Sequence, residues 1–453
     1  MRAYVGIHLY AKWTEELVYS DDYFIYALSD DGTYLIADNE TDYGKTLDTV
    51  TIADTCKGLP VQEIRDNLFY GSALVSVTIG KNVKVIGESA FEDSYIANIV
   101  LPSSVNTVKR RAFYHAYNLK TVLAEGLISV GEYAFYNCES HSSVTMDYAT
   151  MIGEHAFERS NVETADLLYV KDIASYAFLD CKRLLTVNIE QCTFDTIKHS
   201  TFEGCVALND IKFSSKVKTL EYSCFANTGF TSFDTRSLEK IGYNAFDSCR
   251  FLQNFTIKMY VSDLELSAFV NCNSLRAFTV INNPNFATYN DDGCLYNADV
   301  TELLFIPNNF SDYYLPATVK SYAVQAFSVA RLSSITVDLY NEVFSSIDGN
   351  LYSKDGKTLI YYAAANADEE FTIAGGVTEL ASICFNNGPA LIRIILPDTI
   401  TKVNYWAFYN MRNLEEIVCP NEDVAALITL SEGEYDSMHE VYSCAKARVV
   451  VAE

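Results

Sequence analysis

Short runs in which apolar and polar residues alternate recur along the chain, among them Leu74-Val75-Ser76-Val77-Thr78-Ile79, Leu184-Leu185-Thr186-Val187-Asn188-Ile189, Leu275-Arg276-Ala277-Phe278-Thr279-Val280 and Leu332-Ser333-Ser334-Ile335-Thr336-Val337. The last four residues of each alternate with the period of two that a half-buried strand requires. Five or six residues before each run stands a phenylalanine, introduced by a second phrase: Ile86-Gly87-Glu88-Ser89-Ala90-Phe91, Val130-Gly131-Glu132-Tyr133-Ala134-Phe135, Ile152-Gly153-Glu154-His155-Ala156-Phe157. That register places one Phe per unit at Phe69, Phe91, Phe113, Phe135, Phe157, Phe178, Phe202, Phe225, Phe246, Phe269, Phe327, Phe385 and Phe408, mostly 21 to 24 residues apart.

A unit of about 22 residues is too small to bury its own apolar face and has to stack on its neighbours, as in leucine-rich solenoids with periods of about 20 to 29. Successive strands are expected to pair in parallel about 4.8 Å apart, with the aligned Phe side chains forming an inner ladder. The fold class expected is therefore an α/β repeat solenoid, β-rich: a right-handed, curved leucine-rich-repeat array with a parallel sheet along one face. Two steps, Phe269 to Phe327 and Phe327 to Phe385, are 58 residues long, and their extra residues match each other: Asp292-Gly293-Cys294-Leu295-Tyr296 with Asp348-Gly349-Asn350-Leu351-Tyr352, and Leu303-Leu304-Phe305-Ile306 with Leu359-Ile360-Tyr361-Tyr362. Asp355-Gly356 is a favoured two-residue hairpin turn, so each insert is expected to contain a β-hairpin packed on the solenoid.

The unit, roughly I-G-x-x-A-F-x-x-C-x-x-L-x-x-I-x-L-P with Asp-Gly-x-Leu-Tyr hairpins between units, resembles the BspA-type leucine-rich repeat of bacterial and some protozoan surface proteins, over about residues 50 to 420. Its Gly and Cys positions are often replaced here. Residues 23–66 resemble the segment that precedes such arrays, and capping of the first repeat is the role implied. Gly6-Ile7-His8-Leu9-Tyr10-Ala11-Lys12-Trp13 resembles the closing strand of a small β-grasp repeat of secreted bacterial proteins, which would make this chain a piece of a longer one; an ordinary N-terminal strand is the other reading. The expected organisation is a tail or remnant at 1–22, a capping segment at 23–66, a solenoid of about thirteen units at 67–420 with insertions near 282–310 and 340–366, and a C-terminal cap at 421–453.

Composition narrows the function classes. At 49% hydrophobic, with 32 Tyr and 26 Phe, the chain has ample material for an ordered core. Its 33 Lys and Arg against 59 Asp and Glu, a formal charge of -26, oppose the phosphate neutralisation that drives nucleic-acid binding, so nucleic acid and anionic membrane are not expected partners. No run reaches about 18 apolar residues, and Met1 to Trp13 does not read as an export signal, so direct membrane insertion of this segment is not expected.

Of the twelve cysteines, Cys138, Cys181, Cys205, Cys249 and Cys272 fall three residues after the repeat Phe, and Cys224 and Cys384 directly before it. These are small-residue rows where other units use Ala, Ser or Thr, so buried free thiols are expected; Cys56, Cys192, Cys294, Cys419 and Cys444 stay undecided. No C-x-x-C pair exists, and the histidines (His8, His115, His141, His155, His199, His439) lack zinc-site spacing, with His155 and His199 read as outer surface positions. Asp38, Glu40 and Asp42 alternate like calcium ligands, but Gly44 is one place late and Thr49 replaces the bidentate Glu, so a solvated loop is the reading. G-x-S-x-G, P-loop and G-x-G-x-x-G motifs are missing as well, and neither an enzyme, a metal nor a cofactor is expected.

Binding is expected on the exposed strand residues. One row reads Ser76, Asn98, Thr121, Ser143, Thr164, Thr186, Asp210, Ser232, Asn254, Ala277, Ser334, Arg393, Glu416; the second runs from Thr78 through Thr145, Asp166, Asn188, Lys212, Asp234 and Thr256 to Val418. The candidate binding residues are Thr121, Ser143, Thr145, Thr164, Thr186, Asn188, Asp210, Ser232, Asn254 and Thr256, on a long face of short hydrogen-bonding side chains suited to a protein or glycan ligand at the cell surface. A glycan platform would call for aromatic residues, and neither row contains Tyr or Trp, which favours a protein partner or a structural role. The hairpin inserts, with Tyr289, Tyr296, Tyr352, Tyr361 and Tyr362 as anchors or as local core, are the other candidate, and a structural spacer is a third class.

Overall fold

Every one of the thirteen alternating runs is a strand in the computed structural model, each beginning at its first-row residue, from Ser76–Thr78 to Glu416–Cys419. The structure describes residues 18–452 apart from 120, 124–125, 139–142, 147–148, 364, 366–367, 386–389, 409–410, 412 and 430–446; the run Gly6 to Trp13 lies outside them. Two compact units, residues 1–181 and 182–453, make up the chain.

In the first unit an antiparallel hairpin, Phe24–Leu28 with Leu35–Glu40, leads into the array, and Leu35–Glu40 pairs in parallel with Leu59–Ile64. The strand Thr49–Thr51 then pairs in parallel with Ser76–Thr78, so the segment before the first repeat already supplies a face strand. Parallel pairing continues through Asn98–Val100 and Thr121–Leu123, and again between Ser143–Thr145 and Thr164–Asp166. A second parallel ladder, unforeseen in the alternation because its strands are two residues long, joins Val85–Ile86, Thr107–Val108, Ser129–Val130 and Met151–Ile152. Its inward residues Ile86, Val108, Val130 and Ile152 are fully buried.

Between the two ladders lies the Phe-bearing bend. The residues two before and two after Phe are left-handed, for example Ser89 and Asp93 at φ 53° and 54°, or Tyr133 and Asn137 at 54° and 55°. This alternation lets every second N–H point to the next turn: Ser89, Phe91 and Asp93 donate to the carbonyls of Arg110, Ala112 and Tyr114 at 3.0, 2.7 and 2.8 Å. Each bend is thereby hydrogen-bonded to its successor, although no regular strand exists there. Aligned by these bonds, the rings of Phe69, Phe91, Phe113, Phe135, Phe157 and Phe178 stack at 4.9 to 5.2 Å with interplanar angles of 1° to 18°. Ring spacing thus matches the strand spacing of about 4.8 Å, and Phe24 closes the stack edge-on against Phe69 at 5.9 Å.

The second unit opens the stack. Phe202, Phe225, Phe246 and Phe269 stand 5.6, 5.8 and 6.2 Å apart, because the inward strand residues are themselves aromatic. Phe255, for instance, wedges edge-on against Phe246 and Phe269 at 5.2 and 4.8 Å.

The two 58-residue steps hold more than the hairpin expected of them. Each places an antiparallel three-stranded ribbon before a complete extra turn. The first ribbon is Phe286–Ala287, Leu295–Asn297 and Glu302–Phe305, and the second is Phe344–Ile347, Asn350–Ser353 and Thr358–Tyr361. The last strand of each joins the second ladder, in parallel with Ser321–Tyr322 and Glu379–Leu380. Ile306 and Tyr362 then take the hydrogen-bonding place of the repeat Phe, donating to Ala326 and Cys384 at 2.8 Å. The extra turns contribute face strands, Asp312–Leu315 and Glu370–Thr372, paired with Ser334–Val337 and Arg393–Ile395. At the base of each ribbon sits a clamping asparagine. Buried Asn341 donates to the carbonyls of Pro316 and Val319, both at 2.9 Å, and accepts from the N–H groups of Val343 and Phe344; Asn283 makes the equivalent set. Gly293 and Gly349, at φ 74° and 77°, carry the ribbon so close over the face strand that a Cβ would lie 2.9 Å from the Ala277 Cβ and 3.2 Å from the Ser334 Cβ. Tyr296, Tyr352, Tyr361 and Tyr362 are buried, so these four are local core and not anchors.

Beyond Cys419 the helix Glu422–Thr429 packs on the last turns, and Arg448–Val451 adds a parallel strand to Glu416–Cys419.

Two substitutions test this packing. Phe135→Ala removes a rung held between two rings and should lower the unfolding free energy by about 3–5 kcal/mol, read as a lower denaturant midpoint. Asn341→Ala strands two buried carbonyls and two N–H groups; a loss of about 1–3 kcal/mol is expected, with protease cleavage appearing first in residues 342–358.

Candidate functional site

The face rows assemble in register. Thr121 lies beside Asn98, Ser143 beside Thr164 and Thr145 beside Asp166 in the first unit. In the second, Thr186 pairs with Asp210 and Asn188 with Lys212, while Ser232, Asn254 and Ala277 align, as do Asp234, Thr256 and Thr279. The side chains of Thr121, Ser143 and Thr145 are outside the described residues. Thr186, Asp210, Ser232 and Asn254 are exposed, whereas Thr164, Asn188 and Thr256 are half-buried. The second unit's face is segmented: one pairing ends at Asp210–Phe213, and the next runs from Ser232–Asp234 to Ala277–Val280.

Two stretches of this face differ in how their polar groups are used. The side chains of Thr186, Asp210, Ser232, Asn254 and Thr256 have no hydrogen-bonding or ionic partner among the described residues. Toward the C-terminus the first row becomes self-satisfied. Arg393 bridges Glu370 and Glu416 at 3.0 and 3.4 Å, Arg448 meets Glu416 at 3.3 Å, and the Ser334 hydroxyl donates to Asp312.

The rows are also more aromatic than the sequence suggested. Tyr314, on the unforeseen extra turn, occupies the second row beside Thr336, and its hydroxyl donates to Asp338. Next to Asp338, Leu339 and Tyr340 are 84% and 81% exposed.

At the C-terminal ends of the face strands lies a recess of ≈ 370 Å³, lined by Phe213, Ser214 and Ser215 of one turn, Arg236 and Ser237 of the next, and Lys258 with Tyr260 of the third. Asp234 shapes it twice: one carboxylate oxygen accepts from the Arg236 N–H at 2.9 Å, and the other pairs with the Lys258 ammonium at 2.7 Å. The Lys218 ammonium stands 5.2 Å from the centre of the Tyr260 ring. Motif reasoning passed over this recess, since its residues follow the strands in turns whose sequence varies.

Another missed feature is an outer aromatic stack in the first unit. His155, read from sequence as a surface position, is sandwiched between Tyr133 and Tyr176 at 4.5 and 4.7 Å and contacts Glu158 through Nδ1. The signal was present as the position two before each Phe, which reads Tyr133, His155 and Tyr176 in successive units.

Cysteine chemistry is closed off by burial. The eleven described cysteines are buried and free, and Cys444 lies outside the described residues. The thiols three after Phe have a use: Cys138, Cys181, Cys249 and Cys272 donate to the carbonyls of Phe113, Phe157, Phe225 and Phe246, each one turn back, at 2.9 to 3.1 Å. Burial pushes Cys138 up to about 12 and Cys192, Cys249 and Cys419 to about 11 from 9.0. Asp38 and Glu40 lie on the strand Leu35–Glu40, and Asp38 is paired with Arg65. Among the described residues no three His, Cys, Asp or Glu side chains converge as a metal site, and no helix is long and apolar enough to cross a membrane.

The sequence matches the profile of the BspA type leucine rich repeat region, in six copies, over residues 62–184, 171–297 and 360–430. Among solved structures it is similar to a leucine-rich repeat protein from Bacteroides ovatus ATCC 8483, at 18% identity over 96% of this chain and 100% of that one, with a TM-score of 0.49. A leucine rich cell surface protein from Faecalibacterium prausnitzii A2-165 is similar at 17% identity over 93% and 100%, TM-score 0.41. The leucine rich repeat protein of T. pallidum is similar at 23% identity over 56% and 88%, TM-score 0.33. No curated protein sequence matches the chain.

The buried thiols give the fold a pH signature. With pKa values raised above those of the unfolded chain, they bind protons more tightly when folded; their stabilisation is complete below pH about 9 and is lost as pH rises toward about 11 to 12. Melting temperature should therefore fall steadily above pH about 9, and at neutral pH maleimide should label Cys138 and Cys249 only after denaturation.

Proposed function

Because the chain belongs to the BspA-type leucine-rich-repeat family, we propose that it is a non-enzymatic extracellular binding or adhesion module of a bacterial cell-surface protein, holding its ligand on the strand face between Thr186 and Thr256. Solenoids of this repeat family are typically non-enzymatic and serve binding or structural roles. Fold alone does not assign a function, so the observation that carries the reading is local. Thr186 and Asp210 on one pairing, and Ser232, Asn254 and Thr256 on the next, present polar groups with no partner among the described residues, whereas in the C-terminal stretch the corresponding groups satisfy one another. Repeated short donors and acceptors on a rigid sheet suit many weak contacts, direct or through water, to an extended surface. The ligand that best fits such a row is a protein. The name of the Faecalibacterium prausnitzii relative, a cell surface protein, agrees with an extracellular setting.

A glycan ligand is the second reading. Tyr314 in the second row, with exposed Tyr340 beside Asp338, supplies the aromatic surface whose absence from the sequence-derived rows had argued against it.

The deciding experiment is a binding screen of the chain against extracellular-matrix proteins, mucins and a glycan array, beside a variant carrying Thr164→Lys, Thr186→Lys, Ser232→Lys and Asn254→Lys. These positions are exposed or half-buried, so the variant should melt within a few degrees of the parent, and its loss of a parental ligand would place binding on the face. Retention of every parental ligand by the folded variant would remove the face from consideration, and a parent chain that binds nothing would favour a spacer.

A further inference from the structure

The recess at the ends of the face strands reverses the electrostatic character of the chain. Its lining holds two cations, Arg236 and Lys258, and no Asp or Glu, within a chain of formal charge -26. Charges farther away than about 8 Å are largely screened at physiological ionic strength, so the groups lining and bordering the recess matter most to an approaching ligand.

Within the patch the cations are arranged and not merely numerous. Ser214, Arg236 and Lys258 hold the same place, four residues past the first face position, on three successive turns. The strands leading to Arg236 and Lys258 are hydrogen-bonded neighbours, so the two residues follow the ends of adjacent strands. Lys258 is neutralised in part by Asp234, and Lys218 by Glu239 at 3.1 Å. Arg236 differs. It is exposed, it is left-handed at φ 39° away from the two left-handed bend positions, and its guanidinium has no acidic partner among the described residues; only its backbone N–H is bound, by Asp234. Lys216, on the turn before, is likewise exposed, and its ammonium has no partner among the described residues. A planar guanidinium left free at the mouth of a recess is suited to a carboxylate or sulfate, which it grips with two parallel hydrogen bonds.

The walls specify more than charge. Tyr260 and Phe213 give the recess aromatic surface, with Lys218 over the Tyr260 ring, while the Ser215 hydroxyl has no partner among the described residues. The recess, ≈ 370 Å³, is open and shallow, a shape suited to one residue of a polymer lying across it and not to an enclosed small ligand. We propose that this recess is a binding subsite for an acidic polysaccharide: a sugar carboxylate or sulfate pairs with Arg236, its ring packs on Tyr260, its hydroxyls meet Ser215, and the next charges along the polymer face Lys216 and Lys258. An acidic peptide would match the cations, but its flexible side-chain carboxylates leave the ring wall and the free hydroxyl unused. The proposal rests on the extracellular binding reading above, but not on the protein ligand of the strand face.

The test measures binding of the whole chain to heparin as the sulfated probe and polygalacturonate as the carboxylated one, with dextran, poly-glutamate and inorganic sulfate as comparators. The parent should bind at least one acidic polysaccharide, with affinity falling as salt rises, and should bind dextran, poly-glutamate and sulfate at least tenfold more weakly. Arg236→Gln should weaken that binding tenfold or more with an unchanged melting temperature, Arg236→Lys should recover part of it, and Arg110→Gln, an exposed arginine of the first unit, should have no effect. Undiminished binding by Arg236→Gln overturns the assignment, as does poly-glutamate binding as tightly as the polysaccharides. A parent that retains a ligand from the wider screen yet binds no acidic polysaccharide overturns the recess alone; a parent that binds nothing in either experiment overturns both readings.

Discussion

The array depends on one match of lengths: a stacked aromatic ring and a hydrogen-bonded strand advance along the axis by nearly the same distance. In the first unit the rings from Phe69 to Phe178 repeat at 4.9 to 5.2 Å, against about 4.8 Å between strands. Side-chain packing and backbone hydrogen bonding are therefore satisfied by a single translation. The left-handed residues around each Phe are tolerated because they bring the bend into the same translation. Left-handed residues other than glycine are each disfavoured by roughly 1–2 kcal/mol, yet Tyr133, His155 and Ile383 hold that conformation, offset by bonds to the neighbouring turn. The thiol-to-carbonyl contacts of Cys138, Cys181, Cys249 and Cys272 use the same repeat distance.

How far this could be read from the sequence depended on whether a feature has a period. The Phe ladder and all thirteen face strands were legible, because burial on one side of a strand forces alternation and stacking forces its recurrence. The second ladder was not, since two residues cannot display a period. The turns within the long steps escaped for a related reason. Where Ile306 and Tyr362 replace Phe, the marker used to count turns vanishes while the hydrogen bond it serves persists. Tyr314 went unnoticed as a face residue through that omission, and with it the evidence for an aromatic element in the rows. The candidate recess lay furthest out of reach, for its residues are assembled from three turns whose loops differ in sequence.

Polar residues on the face follow two regimes. In one, side chains on adjacent strands are long and oppositely charged, as in Glu370, Arg393, Glu416 and Arg448, and they neutralise each other. In the other, as with Thr186, Ser232 and Asn254, no such neighbour is engaged among the described residues. Complementarity between adjacent rungs, which also lets Ser334 reach Asp312, thus decides which part of the surface keeps its hydrogen-bonding capacity for something outside the protein.

The long steps have a consequence for how such a chain can grow. Each comprises two full turns and a three-stranded ribbon packed on them, and the two copies share clamping asparagines, Asn283 and Asn341, and crossing glycines, Gly293 and Gly349. A step of this kind begins and ends on the same ladder position, so its duplication leaves every downstream rung in phase. The architecture accordingly admits two building blocks: a single coil that lengthens the surface smoothly, and a 58-residue cassette that lengthens it while adding one more ornament at a set interval. Adding a whole cassette would lengthen the array without changing how the coils on either side pack.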